Sequence, residues 1–355
     1  MDGVIRTRRA GDFHGVFRSL CIGFGAALLC AACGCRIPAA ASGCSVDDVT
    51  QGPGLVPGRT ISLGGDPAAG GRDAGPCDAW HYLERQVSLG PRNPGSPGHR
   101  EVREFIESEL ARYADKVQVH PFDAVCDGAT YAMANITALF RSAGGDERPF
   151  ILLGAHFDTR PRAERDPIPA RRLTPILGAN DGGSGVAVLL EIAAVLARRR
   201  PPVPVMLAFF DGEDYGTSAD SMFLGSRRFA GEVHTSDVRC MILLDMVGDA
   251  DLDIYVEGNS QSSSPGLVDL VWTAAERLGH TDVFHRTVRY HILDDHVPFI
   301  ERGIPSVDII DFDYPYWHTT LDTLDKCSPE SLRIVRNVII EAIFSVSSSD
   351  TGRLP

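Results

Sequence analysis

The run Val205-Met206-Leu207-Ala208-Phe209-Phe210 is continuously apolar, too short to span a membrane, and followed at once by Asp211, Glu213 and Asp214. An uninterrupted apolar run of this length is a strand buried on both faces, as in a parallel sheet covered by helices. Such a strand presents side chains at its C-terminal end, so the carboxylates are placed at a site. The plainer alternative is a solvated acidic turn, which Gly212 and Gly216 would suit. The rest of the chain separates the two.

The pattern recurs. Phe150 to Ala155 is apolar and ends in His156 and Asp158; Met241 to Leu244 ends in Asp245; a strand over Ile304 to Ile310 precedes Pro315-Tyr316-Trp317-His318-Thr319. Between these runs the apolar spacing becomes helical: Val186, Leu189, Leu190, Ala193 and Leu196, then Phe223 to Phe229, Leu267 to Leu278, and Pro329 to Phe344 capped by Ser328. Leu252 to Val256 reads as a further strand. Upstream, Trp80 to Leu89 and Val102 to Leu110 suit two short helices around a Gly/Pro turn, and Val117 to Phe122 with Tyr131 to Phe140 suit paired strands. Strands alternating with helices define one α/β domain with a mixed, mostly parallel central sheet flanked by helices.

The chain of 355 residues is 44% hydrophobic, enough for a sizeable core, and its formal charge of -13 argues against a nucleic-acid partner. The arginines between Arg160 and Arg172 read as a solvated loop, with a role at the site mouth as the lesser option. Arg6, Arg8, Arg9 and Arg18 precede the apolar run Leu20 to Ala32, the layout of an export signal. Leu29-Cys30-Ala31-Ala32-Cys33 resembles an imperfect bacterial lipoprotein signal in which Cys33 would carry the lipid; cleavage near Pro38-Ala39-Ala40 and an uncleaved anchor compete with it. Each reading puts the remainder outside the cytoplasm, periplasmic or tethered to a membrane only through this N-terminus. Residues 1–35 are thus the signal, 36–76 a flexible linker, 77–347 the catalytic domain and 348–355 a tail. Export permits a disulfide, with Cys77 to Cys126 or Cys327 as candidates, while Cys240 reads as a buried thiol.

Strand ends of an open parallel sheet fall along one edge, where distant residues converge. His156 and Asp158, Asp181, Glu213 and Asp214, Asp245 and His318 lie at such junctions. Imidazoles and carboxylates converging without cysteine suit zinc with an open position. Adjacent carboxylates allow one to bind metal while the other moves protons. Against this, Asp181 could merely cap the following helix, Asp294 or Asp295 could cap one at Val297 to Glu301, and His99, His120, His234, His280, His285 and His291 read as surface or structural.

His-Phe-Asp at 156–158, Gly-Ala-Asn-Asp-Gly-Gly-Ser-Gly at 178–185, Phe-Phe-Asp-Gly-Glu-Asp at 209–214, Leu-Leu-Asp at 243–245 and Trp-His-Thr at 317–319 resemble, in order and spacing, the zinc-dependent exopeptidase family of aminopeptidases and glutaminyl cyclases. Ser88 to His99, Phe223 to Arg228 and Asp294 to Phe299 are similar to segments of the glutaminyl-peptide cyclotransferases, the bacterial ones above all. The resemblance implies one Zn2+ held by Asp181, Asp214 and His318, Glu213 as general acid/base, Asp245 and Asp294 in a hydrogen-bond network beside it, and Trp317 lining the pocket. It implies a monomeric enzyme that converts N-terminal glutamine of peptides or proteins to pyroglutamate with release of ammonia.

Three positions depart from the pattern. Asp214 stands where the family more often has glutamate, Asp308 where the animal cyclases have histidine, and the tryptophan those cyclases carry soon after the acidic pair has no counterpart here. His156, Asp181 and Asp245 would complete the second site of a two-zinc aminopeptidase, the alternative function. A non-catalytic binding homologue is the third reading.

Overall fold

The computed structural model describes residues 45–46, 60–61, 78–126 and 128–347. The expected signal, Cys33, the C-terminal tail and nearly all of the expected linker lie outside them. The described chain runs β1 (Ser45–Val46), β2 (Thr60–Ile61), α1 (Ala79–Ser88), α2 (Pro97–Leu110), β3 (Lys116–Cys126), β4 (Ala129–Phe140), β5 (Phe150–His156), α3 (Gly183–Arg198), β6 (Val205–Phe210), α4 (Leu224–Glu232) and β7 (Val238–Asp245). It continues through β8 (Ile254–Glu257), α5 (Gly258–Ser263), α6 (Pro265–Arg277), β9 (Phe284–Tyr290), α7 (Val297–Glu301), β10 (Ser306–Ile310) and α8 (Pro329–Ser345).

The main sheet has the order β1-β3-β4-β6-β5-β7-β10, with β2 also paired to β3. β6, β5, β7 and β10 are mutually parallel, whereas β3, β4 and β6 pair antiparallel. The chain leaves β5 to one side for β6, then crosses back to the other side for β7. This reversal opens a crevice at the C-terminal ends of the parallel strands.

Both faces of those strands are covered, as their apolar runs require. Ile151, Leu153, Leu207, Phe209, Ile242 and Leu244 face a large core shared with α1, α3, α6 and α8. The alternate residues Phe150, Leu152, Ala208, Phe210, Met241 and Leu243 face a smaller core with Phe229 of α4 and Phe299 of α7. The side-chain period of two makes one strand serve both layers. α3 is apolar on nearly its whole circumference because it lies between the sheet and α1 and α8.

β8 leaves the main sheet to pair with β9 in a separate parallel ribbon. β9 lacks an apolar alternation, its residues being largely exposed, and α5 is a single short turn of polar residues. Neither leaves a periodic signal. Cys126 is disulfide-bonded; Cys327 and Cys240 are free and buried, which removes Cys327 as the partner of Cys77.

Candidate active site

Each strand end of the parallel set contributes to one crevice. β5 ends in His156, β6 leads to Glu213 and Asp214, β7 ends in Asp245, and the turn before α3 carries Asp181. That turn depends on Gly182, whose φ of 82° is left-handed and whose added Cβ would lie 2.6 Å from the Asp158 carbonyl oxygen. Gly182 itself is the N-cap, without a side-chain bond. Asp181 is therefore no helix cap; its carboxylate points into the site.

Asp181 is shared between two groups. Its Oδ1 lies 3.4 Å from His156 Nε2, and its Oδ2 lies 3.7 Å from His318 Nε2. His156 Nε2 is also 3.2 Å from Asp245 Oδ1, and His318 Nε2 is 3.2 Å from Asp214 Oδ1. The ligand atoms of Asp181, Asp214 and His318 lie within 4.8 Å of one another, as do those of His156, Asp181 and Asp245. Asp214 Oδ2 is buried without a hydrogen-bond partner among the described residues. Oxygen and imidazole donors with a spare buried carboxylate oxygen fit zinc.

Glu213 projects beside these groups, its Oε2 3.8 Å from His156 Nδ1. Desolvation raises its carboxyl well above the ordinary range; His156 opposes the shift, while Asp214, Asp294 and Asp295 reinforce it. Asp294 is raised likewise by burial and by Asp245 and Asp295. Asp294 and Asp295 do not cap α7 with their side chains, whose N-cap is His296; Asp294 Oδ1 instead accepts the Asp295 N–H at 2.6 Å. The crevice has a volume near 360 Å³ and is lined by Asp181, Glu213, Asp214, Asp245 and Asp294 with Trp317 and Phe312 at one wall.

Several residues set this geometry through partners that the sequence does not display, even where their own positions, such as Asp158 at the end of β5, are visible in it. Asp158 accepts from the backbone N–H groups of Glu213 at 3.0 Å and Asp214 at 3.2 Å, holding both residues by their main chain. Asp322 does the same for Asn180 and Asp181. Arg92, fully buried, donates to the carbonyl oxygens of Phe157, Leu177 and Gly178 and so ties β5 to the Asp181 turn. Asp211, the first carboxylate of the β6 motif, is structural: it bonds His99 Nε2 at 2.7 Å and the Ala134 N–H at 2.8 Å. Behind the crevice, His296 Nε2 lies 3.3 Å from Glu257, and its Nδ1 lies 3.8 Å from Asp308, all buried. Arg160 is buried and donates to Asp214, so the segment from Arg160 is no solvated loop at that end. An isolated polar residue in a loop shows no period, so only the folded chain reveals its partner.

A sheet covered by helices on both faces, with adjoining carboxylate–imidazole triads at its switch point, defines a metal-dependent exopeptidase-like enzyme. Residues 135–343 match peptidase family M28, and the chain belongs to that family. Among solved structures, it is similar to the glutaminyl cyclase of Tannerella forsythia at 36% identity and a TM-score of 0.70, over 76% of this chain and 98% of that one. The glutaminyl cyclase of Bacteroides thetaiotaomicron bound to N-acetylhistamine matches at 33% identity and a TM-score of 0.72, over 76% and 97%. The glutaminyl-peptide cyclotransferase of Drosophila melanogaster is 28% identical over 69% of this chain and 75% of its own.

Proposed function

We propose that this chain is a zinc-dependent glutaminyl-peptide cyclotransferase, acting on N-terminal glutamine outside the cytoplasm. The observation that carries the reading is the buried Glu213 beside a preformed Asp181, Asp214 and His318 triad. Zinc at that triad would polarise the glutamine side-chain carbonyl. Glu213 accepts a proton from the α-amine as its nitrogen attacks the side-chain carbonyl carbon, then returns a proton to the departing ammonia. Asp245 and Asp294 border that carboxylate on the crevice wall, and Trp317 with Phe312 offers an apolar surface to the glutamine side chain.

His156 bears on the number of ions. Buried among Glu213, Asp158, Asp181 and Asp245, its imidazole is raised well above its ordinary range despite desolvation. Asp181 and Asp245, its partners, are also the carboxylates a second metal would use, so the zinc count per chain decides the occupancy of this triad. The second triad of His156, Asp181 and Asp245 favours the aminopeptidase reading, in which Glu213 would activate water against the first peptide bond.

Peptides beginning with glutamine and with leucine, incubated with the zinc-loaded protein and followed by mass spectrometry, separate the two. Loss of ammonia from the glutamine peptide alone is expected, with one zinc per chain. Stepwise shortening of either peptide with two zinc ions would establish the aminopeptidase. Glu213→Gln is expected to lower turnover by about 10²–10⁴-fold with zinc retained, and unchanged turnover removes Glu213 from the mechanism.

A further inference from the structure

Loop residues 160–166 pass over the segment that carries Trp317 and His318. Arg160 Nη1 donates to Asp214 Oδ1 at 2.7 Å and to the Asp214 carbonyl oxygen at 3.1 Å. Its Nε donates to Glu164 Oε1 at 2.7 Å, and that same oxygen accepts from His318 Nδ1 at 2.9 Å. One guanidinium thus touches one of the three proposed zinc ligands directly and a second through a carboxylate. Arg165 reinforces the arrangement, its backbone N–H bonding the His318 carbonyl oxygen at 3.2 Å and its guanidinium lying 3.9 Å from the Trp317 ring.

Two consequences follow for the ligand atoms. Oδ1 of Asp214 is held by Arg160 and lies 3.2 Å from His318 Nε2, and Oδ2 has no hydrogen-bond partner among the described residues, so the guanidinium fixes how the carboxylate is turned toward the triad. With Nδ1 of His318 donating to Glu164, its Nε2 lone pair faces Asp181 and Asp214. A carboxylate on the far nitrogen of a ligating imidazole fixes its tautomer and ring plane. His318 has a left-handed φ of 56°, a strained conformation for a non-glycine residue that persists where the surroundings over-determine it. Glu164 on the ring and Arg165 on the carbonyl supply that constraint.

We infer that Arg160 and Glu164 form a positioning pair that couples Asp214 to His318 and sets the zinc affinity of the site. The inference rests on the zinc site proposed above. It explains why the shorter aspartate suffices at position 214: the carboxylate is held from behind by a fixed cation.

The test compares the full-length protein with Glu164→Gln, Arg160→Gln, Arg160→Lys and the Arg160→Gln/Glu164→Gln double variant. Zinc dissociation constants would be measured by competition with a chromophoric chelator, beside melting temperatures of the metal-free forms. Glu164→Gln and Arg160→Gln are each expected to weaken zinc binding about 10–100-fold. Arg160→Lys should fall between them and the wild type. The double variant should lose less than the product of the single losses, because both residues act through one bridge. Glu164 is partly exposed, and its glutamine variant should keep the metal-free melting temperature of the wild type. Wild-type zinc affinity in Glu164→Gln overturns the pairing alone, as does a loss of affinity that only tracks a lowered metal-free melting temperature. A wild-type protein that binds no zinc overturns the proposed function together with it.

Discussion

At the scale of single residues, the crevice carboxylates sit where other carboxylates fix them. Asp158 has one oxygen on each of two neighbouring N–H groups, those of Glu213 and Asp214. In Asp158→Asn the amide NH2 replaces one acceptor and faces an N–H donor, so one contact becomes repulsive. A hydrogen bond to a charged acceptor contributes roughly 1.5–3 kcal/mol; kcat is expected to fall at least tenfold, with KM changed less. Steady-state kinetics on a glutamine-initiated peptide check this, and unchanged kcat would leave Asp158 with no part in alignment. The ligand-type residues were legible because each ends an apolar run or sits in a short motif. Glu164 was not, and Arg160 only through the lesser reading of an arginine-rich loop at the site mouth, which the fold favours by placing Asp214 and His318 against it.

At the scale of elements, the site depends on how closely α3 approaches β7. A Cβ added at Gly185 would lie 2.1 Å from the Leu244 carbonyl oxygen, next to Asp245. Backbone cannot yield as a side-chain tip does. Gly185→Ala should destabilise the protein by about 1–3 kcal/mol through overpacking and separate Asp181 from Asp245, weakening metal binding as well. Thermal unfolding with and without zinc checks both effects; an unaltered melting temperature would show that α3 can shift freely. The glycines were visible in the sequence as Gly-Gly-Ser-Gly, but which one meets β7 is a matter of helix phase and register.

For the whole molecule, the cost of gathering so many carboxyls appears as a pH dependence of stability. Asp311 and Asp322 are pushed up to about 7, chiefly by burial. Their unfolded forms lose the proton near pH 4, so between about pH 4 and 7 the folded state binds more protons and stability declines as pH rises. His318 is carried to about 9 by Asp214 and Glu164 against desolvation, which extends the decline from about pH 6.5 to 9. The melting temperature of metal-stripped protein should therefore fall from pH 5 to 9, and zinc should restore most at the alkaline end, because ligands bind metal deprotonated. A melting temperature that rises over this range contradicts the account. The sequence by itself determined the α/β class, the buried strands and the residues at their C-terminal ends, because period and run length are local properties of the chain. Tertiary structure alone decided that Asp181 faces both triads, that Asp211 binds His99 while Glu213 lines the crevice, and that β8 and β9 stand apart from the main sheet. Those outcomes depend on which distant groups meet in a desolvated crevice, where pairing, and not residue type, sets the role of each charge.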